Sequence, residues 1–228
     1  MLNKLFSLNR QREQLLKKAP EGTLKNFLSE PFPEPSLPIN QVAILAVDFE
    51  TTGLDLKNDK ILSVGFIGME NSEILLSTAY HRIIHTEETL AEENVVIHQI
   101  TDSAREQGDS LEFVIEKLLN ALAGKVMLAH YARIEKHFLE RACQKLYGLT
   151  PVFPIIDTLA IAKKRMDRQT APYSPSELRL PNLRAQHGLP AHHAHNALSD
   201  ALATAEVLMA EIEMMKSNKP PPLKNLLL

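Results

Sequence analysis

The stretch AVDFETTGLD, residues 46–55, plants two carboxylates, Asp48 and Glu50, at the end of an apolar run that begins at Val42. Side chains alternate across a strand, so two acids two residues apart point to the same side. Acids at the solvated end of a strand have the same spacing. Here Phe49 lies between them and Val42, Ala43, Ile44, Leu45, Ala46 and Val47 precede them, which is the pattern of a buried central strand over residues 42–50. Two carboxylates converging at the end of a buried strand repel unless a cation sits between them, and hard oxygen ligands suit Mg²⁺ or Mn²⁺. The chain then turns over Thr51 to Asp55 around Gly53, where the missing Cβ permits a close backbone approach.

Outward from this strand, KILSVGFIGM (60–69) is a second strand, Asn71-Ser72 a turn, and EILLSTAYHR a third strand. Such short connections imply antiparallel hairpins. Beyond Asp109 the period changes. DSLEFVIEKLLNALAG is a helix, with Asp109 and Glu112 as a capping box and Gly124 past its end. KVMLA is a short buried strand, RIEKHFLERACQKLYG a helix closed by Gly148, and PIIDTLAIA opens as a strand. After a polar loop over 166–180, PNLRAQHG is a short helix. NALSDALATAEVLMAEIEMM is the final helix, with Asn196 as its N-cap. Three antiparallel strands followed by alternating helices and strands make an α/β fold: a mixed five-stranded sheet with helices on both faces.

The flanks differ in character. Residues 1–19 form a basic amphipathic helix, either a docking element for a partner or a surface helix packed on the domain. Pro31, Pro33, Pro35 and Pro38 make a stiff connector. The expected division is 1–40 for helix and connector, 41–216 for the domain, and 217–228 for a flexible tail without fixed structure of its own.

The 228 residues carry a net charge of −3 and one cysteine, Cys143. Sustained gripping of duplex DNA usually needs a basic excess. A short polyanionic end held through bound cations remains compatible. No apolar run is long enough to span a bilayer, the N-terminus lacks the features of a secretory signal, and a single thiol fits a reducing compartment; the expected location is the cytoplasm. No Gly-rich phosphate loop follows a strand, which argues against a nucleotide-binding α/β domain.

Further acids stand where a metal site needs them. Asp200 lies early on the last helix, with His195 just before it. Glu135 lies in the first turns of the helix that follows the KVMLA strand and His130. A helix start directly after a strand end is where α/β folds place their sites. On these residues the sequence resembles the DEDDh, or DnaQ-like, 3′–5′ exonucleases of the ribonuclease H-like fold. Asp48-x-Glu50-Thr51-Thr52-Gly53 resembles their first motif, AHYARIE their second, on His130 and Ala132, and HNALSDA their third, on His195 and Asp200. HQIT (98–101) and IDTLAIA are similar to two further segments, and DFETTGL resembles the polymerase-III-epsilon-like branch. One departure stands out: the second motif usually ends in Asp, and this chain has Glu135, one methylene longer.

The resemblance implies a two-metal phosphodiesterase acting on single-stranded DNA or RNA 3′ ends. It implies two divalent ions, Mg²⁺ or Mn²⁺, held by Asp48, Glu50, Glu135 and Asp200, and a general base in His195. An imidazole must be neutral to accept the proton, so the rate is expected to rise with pH through its titration. Thr51, Thr52, Gly53 and Leu54, with Ile100, Thr101 and His130, are the implied substrate contacts. The basic run AKKRMDR is either a guide for the strand or a solvated face. Two readings compete with the DNA exonuclease: an RNA-directed relative of RNase T or oligoribonuclease, and a non-catalytic module that keeps the fold. The N-terminal helix or C-terminal tail is the expected dock for any protein partner.

Overall fold

The computed structural model describes residues 2–86, 100–169, 171–215 and 219–228; for residues 2–7 and 102 it describes the backbone only. The apolar run at Val42 enters β1 (Ile44–Thr51), the centre of a five-stranded sheet. β2 (Ile61–Glu70) and β3 (Glu73–Ile83) follow antiparallel, and β4 (Val126–Ala129) and β5 (Ile155–Asp157) add parallel on the other side, in the order β3-β2-β1-β4-β5. Asn71 and Ser72, at φ 52° and 63°, make the β2–β3 turn. Positive φ at both central residues matches the right-handed twist of a tight hairpin.

The alternation of β1 divides the core. Leu45, Val47 and Phe49 face one layer, built from α4 (Leu111–Leu122) and α5 (Arg133–Tyr147). Ile44 and Ala46 face the other, where Ala201, Ala205 and Leu208 of α8 (Ala197–Met214) pack. α5 ends at Gly148 in the left-handed conformation, φ 67°, and Asn196 caps α8 by accepting from the Ser199 N–H. Between them, α6 (Thr158–Met166) and α7 (Leu180–Gln186) pack on α8 in a smaller apolar cluster with Ala203 and Val207.

Several elements depart from the expectation. α4 is capped by Ser110, whose hydroxyl accepts from the Phe113 N–H, and not by Asp109 with Glu112. Asp109 instead pairs by its backbone with Ile83 and His85, so its side chain is one residue too early to cap. α3 (Asp102–Glu106), capped by Thr101, has too few residues to show a period. The first 40 residues hold α1 (Leu2–Leu16) and a second helix, α2 (Thr23–Ser29). Leu24, Phe27 and Leu28 of α2 lie in the main core, and the buried Arg12 of α1 donates to the Leu28 carbonyl. The N-terminal segment is thus packed on the domain.

The last ten residues are not a free tail. Leu223 and Leu226 are buried, Leu223 donates to the Leu37 carbonyl, and Leu227 bridges Ile156 on the outer edge of β5. Its two buried leucines and a bare sheet edge give this segment a place that no local pattern announces. Among the described residues, no helix is long and apolar enough to cross a membrane.

Candidate active site

The site forms where β1 ends, because three separate segments deliver acids there: β1 itself, α5 and α8. Asp48 and Glu50 share the α8-facing side of β1. Their register partners on β2 are Gly65 and Ser63, both small residues. A Cβ on Gly65 would stand 2.2 Å from the Ala197 carbonyl carbon and the Leu198 nitrogen. The first turn of α8 therefore rests directly on the backbone of β2, and this close seat brings Asp200 down over β1. A register shift between Glu50 and Thr51 ends the regular ladder beside the acids. Bulges of this kind re-aim side chains next to active sites.

One carboxylate oxygen from each of Asp48, Glu50 and Asp200 lies within 4.8 Å of the others. Glu135 enters from the opposite layer, on the first turn of α5, only 3% exposed. Its Oε2 is buried without a hydrogen-bond partner. The electrostatics record the crowding. Burial pushes the Asp48 carboxyl well above its usual range, and repulsion from Glu135, Asp200 and Glu50 pushes it further. Burial raises Glu135 to about 8, with Asp157 and Glu50 adding to the effect. Asp200 is raised by burial, although His192 and the His195 N–H pull it back. An oxygen-only cluster in which Asp48, Glu135 and Asp200 resist ionisation fits a hard divalent cation, which would relieve both desolvation and repulsion.

The two histidines near Asp200 take different positions. The His192 ring lies 2.8 Å from Asp200 Oδ1, while His195 gives its backbone N–H to Oδ2, also at 2.8 Å. His195 is exposed and held at φ 65°, in the loop directly before the N-cap of α8. Sequence reasoning singled out His195 and passed over His192, which no periodicity marks.

The expected substrate contacts divide. Leu54 is 73% exposed at the tip of the β1–β2 loop, free to press on a base. That loop is held from within: Thr51 Oγ1 donates to the Gly53 carbonyl, and Asp59 accepts from Thr52 Oγ1 and the Asp55 N–H, each at 2.7 Å. The close approach permitted by Gly53 is that of the Asp59 side chain. Ile100 is buried, and the Thr101 hydroxyl caps α3 by accepting from the Ala104 N–H. His98 lies outside the described residues. His130 does not join the acids: its Nδ1 is 2.8 Å from Thr158 Oγ1, and burial lowers its pKa to about 4, so the ring is a neutral link between β4 and α6. Two of the four cations in the basic run over 163–168 are spent on ion pairs. Lys163 pairs with Asp167 at 2.6 Å, and Arg165 forks onto buried Glu211.

Sequence reasoning missed Gly65, and it marked the IDTLAIA segment without a role for Asp157. A glycine in the middle of a strand was the available signal for the first. For the second it was an acid ending a buried strand and opening a helix.

A mixed sheet of this topology, with carboxylates gathered at the end of its central strand, is a ribonuclease H-like nuclease architecture. The profile of the exonuclease (RNase T) family matches residues 45–208, and the chain belongs to that family. It is 33% identical over 172 residues to a PolC-type DNA polymerase III of Thermotoga petrophila, covering 75% of this chain and 12% of that protein. It is 26% identical over 180 residues to the 3′-5′ exonuclease DinG of Staphylococcus haemolyticus, covering 79% of this chain and 19% of that one. The chain thus spans a fifth or less of these relatives' length. Among solved structures, the nuclease domain of 3′hExo, a DEDDh family member bound to rAMP, superposes with a TM-score of 0.64 at 15% identity, covering 81% of this chain and 96% of that one.

Proposed function

We propose that the protein is a metal-dependent 3′–5′ exonuclease that hydrolyses phosphodiester bonds at the 3′ end of single-stranded nucleic acid, DNA in preference to RNA, and releases nucleoside 5′-monophosphates. The observation that carries this is the convergence of Asp48, Glu50 and Asp200 beside the buried, partnerless Oε2 of Glu135. The names of relatives sharing most of this chain, the 3′-5′ exonuclease DinG and PolC-type DNA polymerase III, support the polarity and the choice of DNA.

Asp48, Glu50, Asp200 and Glu135 are the residues that would hold two divalent ions, Mg²⁺ or Mn²⁺. When bound, such ions supply Lewis-acid stabilisation of the phosphate and a lowered pKa for the attacking water. His195, an exposed residue tied to Asp200 through its backbone N–H, takes the proton from the attacking water. His192 and the His195 N–H fix the two oxygens of Asp200 so that the carboxylate cannot swing. Leu54 presses on the terminal base, a contact that tolerates any sequence. The strand behind it runs over a cavity of about 460 Å³ between the β1–β2 loop and α5, which Lys57, Lys60 and Lys145 line; Arg141, on the same wall, donates to the Leu56 and Asp59 carbonyls and holds the loop. Both walls are elements that also carry site residues, so this cavity replaces the α6 basic run as the phosphate track. A module that only bound nucleic acid would have no use for four acids gathered at one strand end, two of them buried. Burial of the Cys143 thiol fits work in a reducing cytoplasm.

The test is a gel. Purified protein receives 5′-labelled single-stranded DNA or RNA with Mn²⁺, Mg²⁺ or chelator, with Asp48→Ala alongside. A metal-dependent ladder shortening from the 3′ end, absent in the variant, is expected. No cleavage of either strand overturns the reading.

A further inference from the structure

Asp157 ends β5 and opens α6, and its carboxylate accepts from four backbone N–H groups. Oδ1 takes those of Leu159 at 2.9 Å and Ala160 at 3.4 Å, an ordinary N-cap. The same oxygen takes the Tyr131 N–H at 2.9 Å, and Oδ2 takes that of Ala132 at 3.1 Å. These last two belong to the turn between β4 and α5, about a quarter-hundred residues earlier in the chain.

That turn needs outside help. Tyr131 sits at φ 64°, a conformation that bulky side chains rarely hold without surrounding support. Ala132, fully buried, stands at the N-cap position of α5 with no side-chain cap to offer. Its amide would be an orphaned donor in the core without Asp157. Three residues further on is Glu135. A glutamate has one more rotatable bond than an aspartate, so its carboxylate is placed only if the start of its helix is fixed.

We propose that Asp157 is a positioning residue: by clamping Tyr131 and Ala132 it sets the first turn of α5 and hence the depth at which Glu135 enters the acid cluster. The proposal rests on the nuclease reading for its purpose, and not for its geometry. Asp157 is not one of the carboxylates that converge with Asp48, and both its oxygens face backbone amides.

The informative variant is Asp157→Ser. Serine caps α6 as well as aspartate does, yet its side chain is too short to reach across to Tyr131 and Ala132. Ser110→Ala, which removes the cap of α4 away from the acids, controls for lost stability. Calorimetric titration of each protein with Mn²⁺ in the absence of nucleic acid should show Asp157→Ser binding at least 10-fold more weakly, the range found for groups that orient metal ligands. Ser110→Ala should bind as the parent protein does. Adding Tyr131→Gly to Asp157→Ser should recover part of the affinity, because glycine holds positive φ without strain. Equal Mn²⁺ affinity in Asp157→Ser and the parent, or equal losses in Asp157→Ser and Ser110→Ala, overturns the proposal. Should Asp157→Ser not fold, Asp157→Asn takes its place under the same criteria. Amide exchange at Tyr131 and Ala132, expected to speed at least 10-fold in Asp157→Ser, reads the clamp without metal. Strand cleavage by the parent protein is scored in parallel. Failure there with the exchange and affinity changes intact removes the nuclease reading alone, and unchanged affinity in a parent that cleaves removes the clamp alone.

Discussion

Glu135→Gln should make the metal-free protein more stable while it weakens the nuclease. Glu135 is 3% exposed, and its proton is held to about 8 in the fold against 4.5 for an unperturbed glutamate. The folded protein therefore keeps a proton that the unfolded chain releases. The sign follows: stability is complete below pH 4.5, is lost as pH rises toward 8, and does not change further above it. Each pH unit in that window costs about 1.4 kcal/mol, so by pH 7 the loss is about 3 kcal/mol. Glutamine has no proton to lose, and its amide can donate to the neighbouring carboxylates. In EDTA at pH 7 the variant should melt on the order of 10 °C above the parent protein, given 2–4 °C per kcal/mol for a chain of this size. At pH 5 the two should differ by less than about 1 kcal/mol. Saturating Mn²⁺ should reverse the order, since the parent gains more from a bound cation. The assay is calorimetry at both pH values, with EDTA or with Mn²⁺. A difference in EDTA no larger at pH 7 than at pH 5 would refute the burial argument, and with it the case for an acid cluster awaiting a cation.

The remaining expectations concern single contacts. Gly65→Ala sets a methyl 2.2 Å from backbone atoms of α8, which cannot yield as a side chain can. A loss of about 3 kcal/mol in stability and roughly 100-fold in strand cleavage is expected from thermal melts and initial rates; full activity would mean that α8 need not sit so close. His195→Ala should slow cleavage by about 100-fold or more with Mn²⁺ affinity kept, while His192→Ala should cost about 10-fold; the reverse order would assign the base to His192. Replacing Lys57, Lys60 and Lys145 together by Glu should flatten the salt dependence of binding to long single strands by about 2 in log–log slope. An unchanged slope in filter-binding titrations would place the phosphate track elsewhere. Deleting residues 219–228 uncovers the pockets of Leu223 and Leu226 and the edge of β5, and denaturant titration should show roughly 3–5 kcal/mol lost.

What the sequence determined by itself is what local pattern encodes. The period-2 run through β1 put Asp48 and Glu50 on one side, Asn71-Ser72 made the hairpin, Gly148 and Asn196 marked helix ends, and the order of elements implied a mixed sheet. Each of these depends on neighbours within a few residues. The tertiary structure decided everything that depends on segments distant in the chain. It alone shows that α2 and the last ten residues belong to the core, because their few apolar side chains gain from burial only once the sheet exists to receive them. It alone shows that Gly65 seats α8, that His192 reaches Asp200, and that Asp157 spends its oxygens on a turn from another part of the chain. The same distance rule applies to Glu135. Its place on a helix start was legible, but the unpartnered Oε2 and its pressure on Asp48 arise only when two layers close over one strand end. Burial and charge repulsion are properties of assembled surroundings, and no window of sequence contains them.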